Sequence, residues 1–266
     1  MKRIFFSSHY IAVIICLLLA TSCEVDNYDG PNASVQGAIL DQNNQPFHID
    51  QNSEYIRMRE VSWAAGDENI FTANRTIPVM QDGTYNHTRQ FAGDYLMFPT
   101  NGNFFPFYEA DDEIRDTEEA GVLVKISGVT TQNFNVTPYL TIEWVVEPRV
   151  VDNNYIECVV RFTRNQKPGF NMPALRFGNM RISRTKYPSR ANLSEFAPPQ
   201  LTVTNDMEGQ DITFRTQIPV KWTGIDYYIQ VVMNCQAVSG DASTNYPGLS
   251  ATGAWNGTTI KSVYVP

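Results

Sequence analysis

Short runs of alternating apolar and polar residues fill the first half of the chain, separated by Gly, Pro, Asn and Asp. The clearest runs are A-S-V-Q-G-A-I-L from Ala33, Y-I-R-M-R-E-V from Tyr55, T-Y-N-H from Thr84 and G-D-Y-L-M-F from Gly93. A period of two residues predicts β-strands that bury one face, and no amphipathic helix is evident here. We therefore predict a small antiparallel β-sandwich over residues 33–137.

Two turns are predicted within this first half. Asp82 and Gly83 form a D-G pair, which permits the positive φ that a tight hairpin requires. The segment 121–136 reads as two further strands around Ser127 and Gly128.

The second half continues the alternation from Pro138 to the end of the chain. T-I-E-W-V-V places Ile142, Trp144 and Val146 on one face of a strand, and I-E-C-V-V-R-F alternates in the same way. Later runs at 180–182, 201–203, 212–214, 227–235 and 260–265 bring the total to about seven strands, as in immunoglobulin-like sandwiches. We predict an immunoglobulin- or fibronectin-like sandwich over residues 138–266, which makes the chain an all-β protein of two sandwiches.

Two cysteines are expected to face the core of the second sandwich. Alternation turns Ile156, Cys158, Val160 and Phe162 inward on one strand, and Ile229, Val231, Met233 and Cys235 inward on a strand opposite. A disulfide between Cys158 and Cys235 would suit an exported protein. Two buried free thiols, acting as small apolar side chains, are the alternative.

The N-terminus has the organisation of a secretory signal, since Lys2 and Arg3 precede a short apolar run from Ile11 to Ala20. That run is too short to span a bilayer, which takes about 20 residues. It ends in L-A-T-S-C, which resembles a bacterial lipobox with Cys23 as the lipidated residue. We predict a signal peptide over 1–22, cleaved before Cys23; an ordinary cleaved signal with an incidental cysteine is the alternative.

An acidic, Gly- and Pro-containing tether follows over residues 23–32. Its acids resemble the export signals that send some Bacteroidetes-type lipoproteins to the cell surface, although a plain solvated linker would have the same composition. Acyl chains on Cys23 would be the protein's only attachment to a membrane.

Charge argues against nucleic acid as a partner. Removing Lys2 and Arg3 with the signal changes the formal net charge from −8 to −10, and no cluster of Lys and Arg follows the phosphate-binding pattern. An acidic chain of this kind suits a soluble surface domain or a neutral or cationic ligand.

Motifs of catalysis and of metal binding are weak or absent. His48 and His87 lack neighbouring ligands at zinc spacing, and the hydrolase, nucleotide and dinucleotide motifs do not occur. S-R-T-K from Ser183 matches S-x-x-K by chance, because it follows a strand and precedes Pro188 where that chemistry needs a helix. The acidic stretch 111–119 lacks EF-hand spacing and reads as a solvated loop. We predict no cofactor, no metal and no enzyme activity.

Aromatic residues carry the remaining signal, because flat rings stack on sugar faces and ring-bearing loops often form binding sites. Four rings lie among Gly, Asn, Asp and Ser and are our candidate ligand-binding residues: Trp63, Trp222, Tyr246 and Trp255. Each could equally cover the edge of a core.

Several segments in order support a family resemblance: A-S-V-Q-G-A-I-L-D, Q-D-G-T-Y, F-A-G-D-Y, N-G-N-F-F-P and F-N-V-T-P-Y-L. Together they resemble a Bacteroidetes family of exported lipoproteins of unknown function, encoded beside SusC-like and SusD-like proteins in polysaccharide utilization loci. The resemblance covers residues from about 20 to 140 well and the remainder more loosely. It implies a transthyretin-like, carboxypeptidase-regulatory-like first domain and an immunoglobulin-like second domain.

We interpret the chain as an accessory lipoprotein of the outer membrane, facing the cell surface, within a Sus-type polysaccharide uptake system. Its expected ligand is a polysaccharide or oligosaccharide bound without cleavage, and SusC-like or SusD-like proteins are its expected neighbours. One alternative is an adhesion or assembly protein that pairs an edge strand with a protein partner. A carbohydrate-active hydrolase, with two acids converging in space, is the third reading.

Overall fold

The structure is a computed structural model that describes residues 30–51, 55–62, 74–100, 103–107, 121–190, 192–236 and 255–266. Within these residues the chain forms strands and one 3-10 turn at Asn205–Met207, and no α-helix. The predicted signal peptide, Cys23 and most of the tether lie outside them. None of the described residues forms a helix with the length and apolar character needed to cross a bilayer.

The described residues of the first sandwich form eight strands: β1 Ala33–Leu40, β2 Tyr55–Glu60, β3 Arg75–Pro78, β4 Thr84–Gln90, β5 Gly93–Thr100, β6 Val122–Ile126, β7 Val129–Thr131 and β8 Phe134–Asn135. One sheet has the order β4-β1-β7, with β8 also on β1, and the other has the order β3-β2-β5-β6. Alternate residues fill the space between them, including Val35, Ile39, Ile56, Met58 and Met97. The predicted sandwich is therefore present.

Pairing in the first sandwich differs from the expected antiparallel arrangement at β1. This strand is antiparallel to β4 but parallel to β7 and β8. The chain passes at Gly128 from the β3-β2-β5-β6 sheet to the β4-β1-β7 sheet, so β7 runs in the same direction as β1. The turn at Gly83 also forms, with φ at 80°, but it joins strands of different sheets instead of closing a hairpin.

In the second sandwich, the part of the chain that the structure describes forms eight strands: β9 Leu140–Val151, β10 Tyr155–Arg164, β11 Leu175–Ser183, β12 Leu201–Thr202, β13 Ile212–Arg215, β14 Ile225–Cys235, β15 Asn256–Gly257 and β16 Lys261–Val265. Its sheets have the orders β13-β10-β9 and β12-β11-β14-β15, with β16 also on β14. The predicted inward residues of β10 and β14 form the centre of its core. The all-β prediction of two sandwiches is confirmed.

Cys158 and Cys235 are both buried free thiols, so the possible disulfide is not formed in the structure. The Cys235 thiol is close to Asn103, at the end of the sandwich nearest the first domain, and feels the charge of Arg164. Cys158 is six positions before Arg164 on β10, which corresponds to about 20 Å along a strand. A disulfide needs the two Cα atoms within about 7 Å of each other, and this separation therefore explains why the thiols are free. Burial raises the pKa of each thiol to about 12.

The outer face of the β11–β14 sheet is covered by the first sandwich, which alternation did not predict. Arg181, Gln230, Val232 and Asn234 point away from the core, yet each has at most 6 % of its surface exposed. Arg181 and Gln230 contact Asp50 and Ile49 of the first sandwich directly. The two domains therefore meet face to end, and this joint shapes the candidate site.

Candidate functional site

The joint between the domains is polar and buried. Arg181 donates from Nε and Nη2 to the same carboxylate oxygen of Asp50, at 3.0 and 2.7 Å, and both side chains are 7 % exposed. Gln81 Nε2 donates to the Pro188 carbonyl at 2.7 Å and to Gln230 Oε1 at 2.8 Å. These directional contacts fix one orientation of the two sandwiches, because burying such groups without partners would cost free energy.

A second contact between the domains comes from the segment Asn103 to Phe107, which includes the N-F-F-P residues of the family resemblance. Phe104 is buried in the first core, whereas Phe105 is buried in the second core against Tyr139, with ring centroids 4.6 Å apart. Asn103 hydrogen-bonds Asn256 through its side-chain nitrogen, and its carbonyl accepts from Asn256 Nδ2 at 3.0 Å. Adjacent rings in one turn thus anchor both domains.

A cleft of about 540 Å³ opens beside this joint. Its walls are the loop 41–48 after β1, residues 138–143 leading into β9, and Gly257 with Thr259 around β15. The volume is typical of small-ligand pockets, and pockets of this kind favour domain boundaries. The cleft is therefore the candidate functional site.

The loop wall of the cleft is held in shape by Asp41. Its Oδ1 accepts from the backbone N–H groups of Asn43 and Gln45, both at 2.8 Å. Asn135 Nδ2 donates to the Asn44 side chain at 2.7 Å and ties the loop to β8. The Asp41 carboxylate thus holds the loop in its conformation, while the Asn43 and Gln45 side chains remain exposed.

The opposite wall presents two threonine hydroxyl groups. Thr141 Oγ1 accepts from Asn165 Nδ2 at 2.9 Å, and Thr259 Oγ1 accepts from the Trp144 indole N–H at 3.0 Å. Neither hydroxyl donates to an acceptor among the described residues, so each proton is available to a ligand. Glu143, exposed on the same wall, adds an acceptor.

His48 lies at the base of the cleft. Burial lowers its pKa below the ordinary value, against the smaller opposing effects of a hydrogen bond with the Gln81 backbone and of nearby Asp82 and Asp41. The imidazole is therefore neutral at neutral pH. Together with the apolar surfaces of Pro46, Phe47 and Ile142, the cleft offers neutral donors and acceptors over an apolar floor.

The structure separates the aromatic residues predicted from the sequence. Trp63 and Tyr246 lie outside the described residues. Trp222 is 37 % exposed, with the Arg184 guanidinium 4.2 Å from its ring centroid, and Trp255 is half-buried with Arg181 at 5.2 Å. The Trp255 carbonyl accepts from the Asp50 N–H at 3.2 Å, so this residue belongs to the joint.

Two further features of the sequence are the S-x-x-K match at Ser183 and the acidic stretch 111–119. Ser183 Oγ accepts from the Thr185 N–H at 3.0 Å and from Asn192 Nδ2 at 3.2 Å, and Lys186 lies over Tyr187, so the S-x-x-K match has no catalytic geometry. The acidic stretch 111–119 lies outside the described residues, and no group of His, Cys, Asp or Glu within those residues is arranged to hold a metal ion.

The cleft residues were missed because polar loop residues look alike in a sequence. D-Q-N-N-Q-P reads as a turn, and nothing in it indicates that the second domain faces it. One usable indication was present in the sequence: Pro138, the predicted start of the second domain, lies in the cleft wall, and ligand sites favour domain boundaries.

Comparison with known proteins bears on the first sandwich directly. Residues 33–137 match the family model for the N-terminal domain of a protein family of unknown function, DUF3823. The chain carries a DUF3823 N-terminal domain. A comparison with curated proteins finds no match.

Solved structures of DUF3823 proteins share the two-domain fold. One from Bacteroides uniformis has a TM-score of 0.70 and 21 % identity, with 89 % of this chain and 100 % of that chain covered. One from Parabacteroides merdae has a TM-score of 0.59 and 16 % identity, with 88 % and 100 % covered. A carbohydrate-binding protein candidate from Bacteroides uniformis has a TM-score of 0.58 and 18 % identity, with 89 % and 100 % covered. At these identities the likeness concerns the fold.

Proposed function

We propose that the protein is an accessory lipoprotein of a Sus-type polysaccharide uptake system, anchored in the outer membrane through Cys23, which binds a glycan without cleaving it. The cleft between the two sandwiches is the proposed binding site. The observation that carries the proposal is the chemistry of its walls, where amides and hydroxyls surround an apolar floor.

This chemistry suits a neutral sugar. Sugar hydroxyls both donate and accept, and the cleft supplies amides at Asn43 and Gln45, hydroxyl donors at Thr141 and Thr259, and a carboxylate at Glu143. The cleft is also formed before a ligand arrives, because the joint fixes its walls, and a preformed site loses little free energy to reorganisation.

Two further observations support the proposal. The carbohydrate-binding candidate from Bacteroides uniformis shares this fold over its whole length. The lipobox-like L-A-T-S-C and the resemblance to lipoproteins of polysaccharide utilization loci support a ligand outside the cell. Binding without cleavage is proposed because the Asp41 carboxylate is engaged with backbone N–H groups.

Native affinity electrophoresis of residues 31–266 against plant, host and microbial polysaccharides tests the proposal. Asn43→Ala should weaken retention by one glycan about tenfold, the effect expected for one lost hydrogen bond in a binding site. Gln42→Ala is the matched control, since Gln42 is exposed in the same loop and does not line the cleft. Release of reducing sugar, or equal retention of both variants, would contradict the proposal.

A protein partner is the second candidate function, favoured by an exposed apolar edge. β6 and β7 lie at the edges of their sheets, where Leu123 and Val129 are 66 % and 73 % exposed. An added strand from a SusC-like or SusD-like protein could pair with β6. Leu123→Lys would then abolish co-purification with that protein and leave glycan retention unchanged.

A further inference from the structure

Cations and aromatic rings gather on the second sandwich, outside the lining of the cleft. We define the Trp222 surface as Arg184 and Lys186 with Tyr187 after β11, and Lys221 with Trp222 before β14; the buried Phe196 ring lies beneath it. The Arg184 guanidinium lies 4.2 Å from the Trp222 centroid, and Lys221 Nζ lies 5.7 Å from the Phe196 centroid. The Phe196 and Trp222 rings meet edge to face at 5.8 Å.

The backbone beneath this surface is fixed. The Trp222 N–H donates to the Tyr227 hydroxyl at 3.2 Å, and that hydroxyl donates to the Trp222 carbonyl at 3.0 Å. The Tyr227 ring itself is fully buried at the start of β14. Trp222 is therefore held in place while 37 % of its surface stays exposed, which provides a preorganised ring for a ligand.

The cations of the Trp222 surface have no carboxylate partner within the described part of the chain. Elsewhere in the second sandwich, ion pairs with Asp or Glu are made by Arg149, Arg161, Arg164, Arg181, Arg215 and Lys261. By contrast, the contacts of Arg184, Lys186 and Lys221 seen among the described residues are with aromatic rings. In a chain with a net charge of −8, this is a local concentration of unneutralised positive charge.

The Trp222 surface adjoins the joint, because Pro188, which follows Tyr187, contacts Gln81 there. The chain enters the first sandwich at Ala33, and β1 spans about 25 Å from that residue to the end that leads toward the joint. The surface is thus at the joint end of β1 and not at its Ala33 end, so we expect its ligand in the medium and not among lipid headgroups.

We infer that the Trp222 surface binds a carboxylated polysaccharide, with a hexuronate carboxylate on Arg184 and the adjoining pyranose against the Trp222 ring. This inference rests on the proposed glycan function and adds a second site with a different ligand class. Arginine presents a fork of donors that matches a carboxylate. A fixed flat ring matches the apolar face of a sugar, and the flanking lysines suit a polymer that repeats its charge.

The test uses native affinity electrophoresis with polygalacturonate, its fully methyl-esterified form and poly-glutamate. Polygalacturonate should retain the protein, and esterification should abolish retention because the sugar remains while the charge is removed. Arg184→Gln should weaken retention about tenfold, as expected for lost hydrogen bonds to a charged group. The matched control is Arg176→Gln, since Arg176 is exposed and stacks on Phe177 at 4.8 Å near the other end of β11.

Each outcome decides the inference. Weakening confined to the Arg184→Gln variant supports the inference. Equal weakening in the Arg176→Gln and Arg184→Gln variants would mean unspecific attraction of charge, and no weakening in Arg184→Gln would mean that Arg184 does not bind the carboxylate; either result overturns it. Equal retention by the methyl ester, or stronger retention by poly-glutamate, overturns it in favour of a neutral glycan or an acidic peptide. Asn43→Ala separates the two sites: loss of a neutral glycan with polygalacturonate binding intact would concern the cleft alone.

Discussion

Breaking the ion pair between Asp50 and Arg181 should destabilise the joint strongly, because it would leave one buried charge without its partner. Both side chains are 7 % exposed, and the Trp255 ring covers Arg181 at 5.2 Å. The second Asp50 oxygen accepts from the Gln51 N–H at 2.9 Å, so the carboxylate is well satisfied. Asp50→Ala would leave the guanidinium buried without its anion. Removing one partner of such a pair costs about 3–5 kcal/mol.

That cost is a large share of a total stability of about 5–15 kcal/mol. Most of it is the penalty of the stranded charge, so the double variant Asp50→Leu with Arg181→Met should recover much of the loss. A double-mutant cycle then separates the pair's own interaction from the cost of burying each charge. The structure predicts single variants that are far less stable than the double variant.

Urea unfolding followed by tryptophan fluorescence and circular dichroism measures the effect. The midpoint should fall in each single variant, and the two probes should separate if the domains no longer unfold together. A loss below about 1 kcal/mol in both single variants would refute the reasoning, because that value is typical of ion pairs in water. The pair would then be hydrated and the joint open.

Three further predictions concern packing, a turn and pH. Phe105→Ala should cost about 3–5 kcal/mol, measured by urea unfolding, because the ring is fully buried in the second core. Gly83→Ala should lower Tm clearly more than Gly128→Ala: both have positive φ, but only at Gly83 would a Cβ meet backbone, 2.7 Å from the Phe47 carbonyl oxygen. Because burial lowers the pKa of His48 in the folded protein, the unfolded chain binds a proton at this residue at a higher pH than the folded chain does. The free energy of unfolding should therefore be unaffected by His48 above about pH 6.5 and should fall below it. His48→Gln should reduce the fall in Tm between about pH 7 and 5.

The alternation of apolar and polar residues predicted those strands whose buried face packs within their own sandwich. β10 follows the prediction, since Ile156, Cys158, Val160 and Phe162 are all buried within the sandwich. The pairing of β1 with β7 could not be predicted from alternation, because parallel pairing joins segments far apart in the chain. A period of two shows which residues share a face and not which strand lies beside them.

β14 shows why the joint and the cleft escaped prediction. Its inner face follows the pattern at Ile229, Val231 and Met233, but its outer face is also buried, at Gln230 and Asn234 among others. An amide side chain on a strand is ordinary when exposed, so neither residue marks an interface by its identity. The burial of Gln230 is explained by its hydrogen bonds with Gln81 and Ile49 of the first sandwich, which its own sequence context does not reveal.

The amide hydrogen bonds in the joint should affect ligand binding in the cleft in a way that apolar contacts would not. Apolar surfaces can slide with little penalty, whereas the bond from Gln81 Nε2 to Gln230 Oε1 at 2.8 Å fixes distance and direction. Gln230 in turn donates to the Ile49 and Thr258 carbonyls, both at 3.0 Å, and these residues adjoin the cleft walls at His48 and Thr259. A change that loosens the joint should therefore weaken a ligand in the cleft without touching it, and the stability of the joint and the affinity of the cleft should vary together.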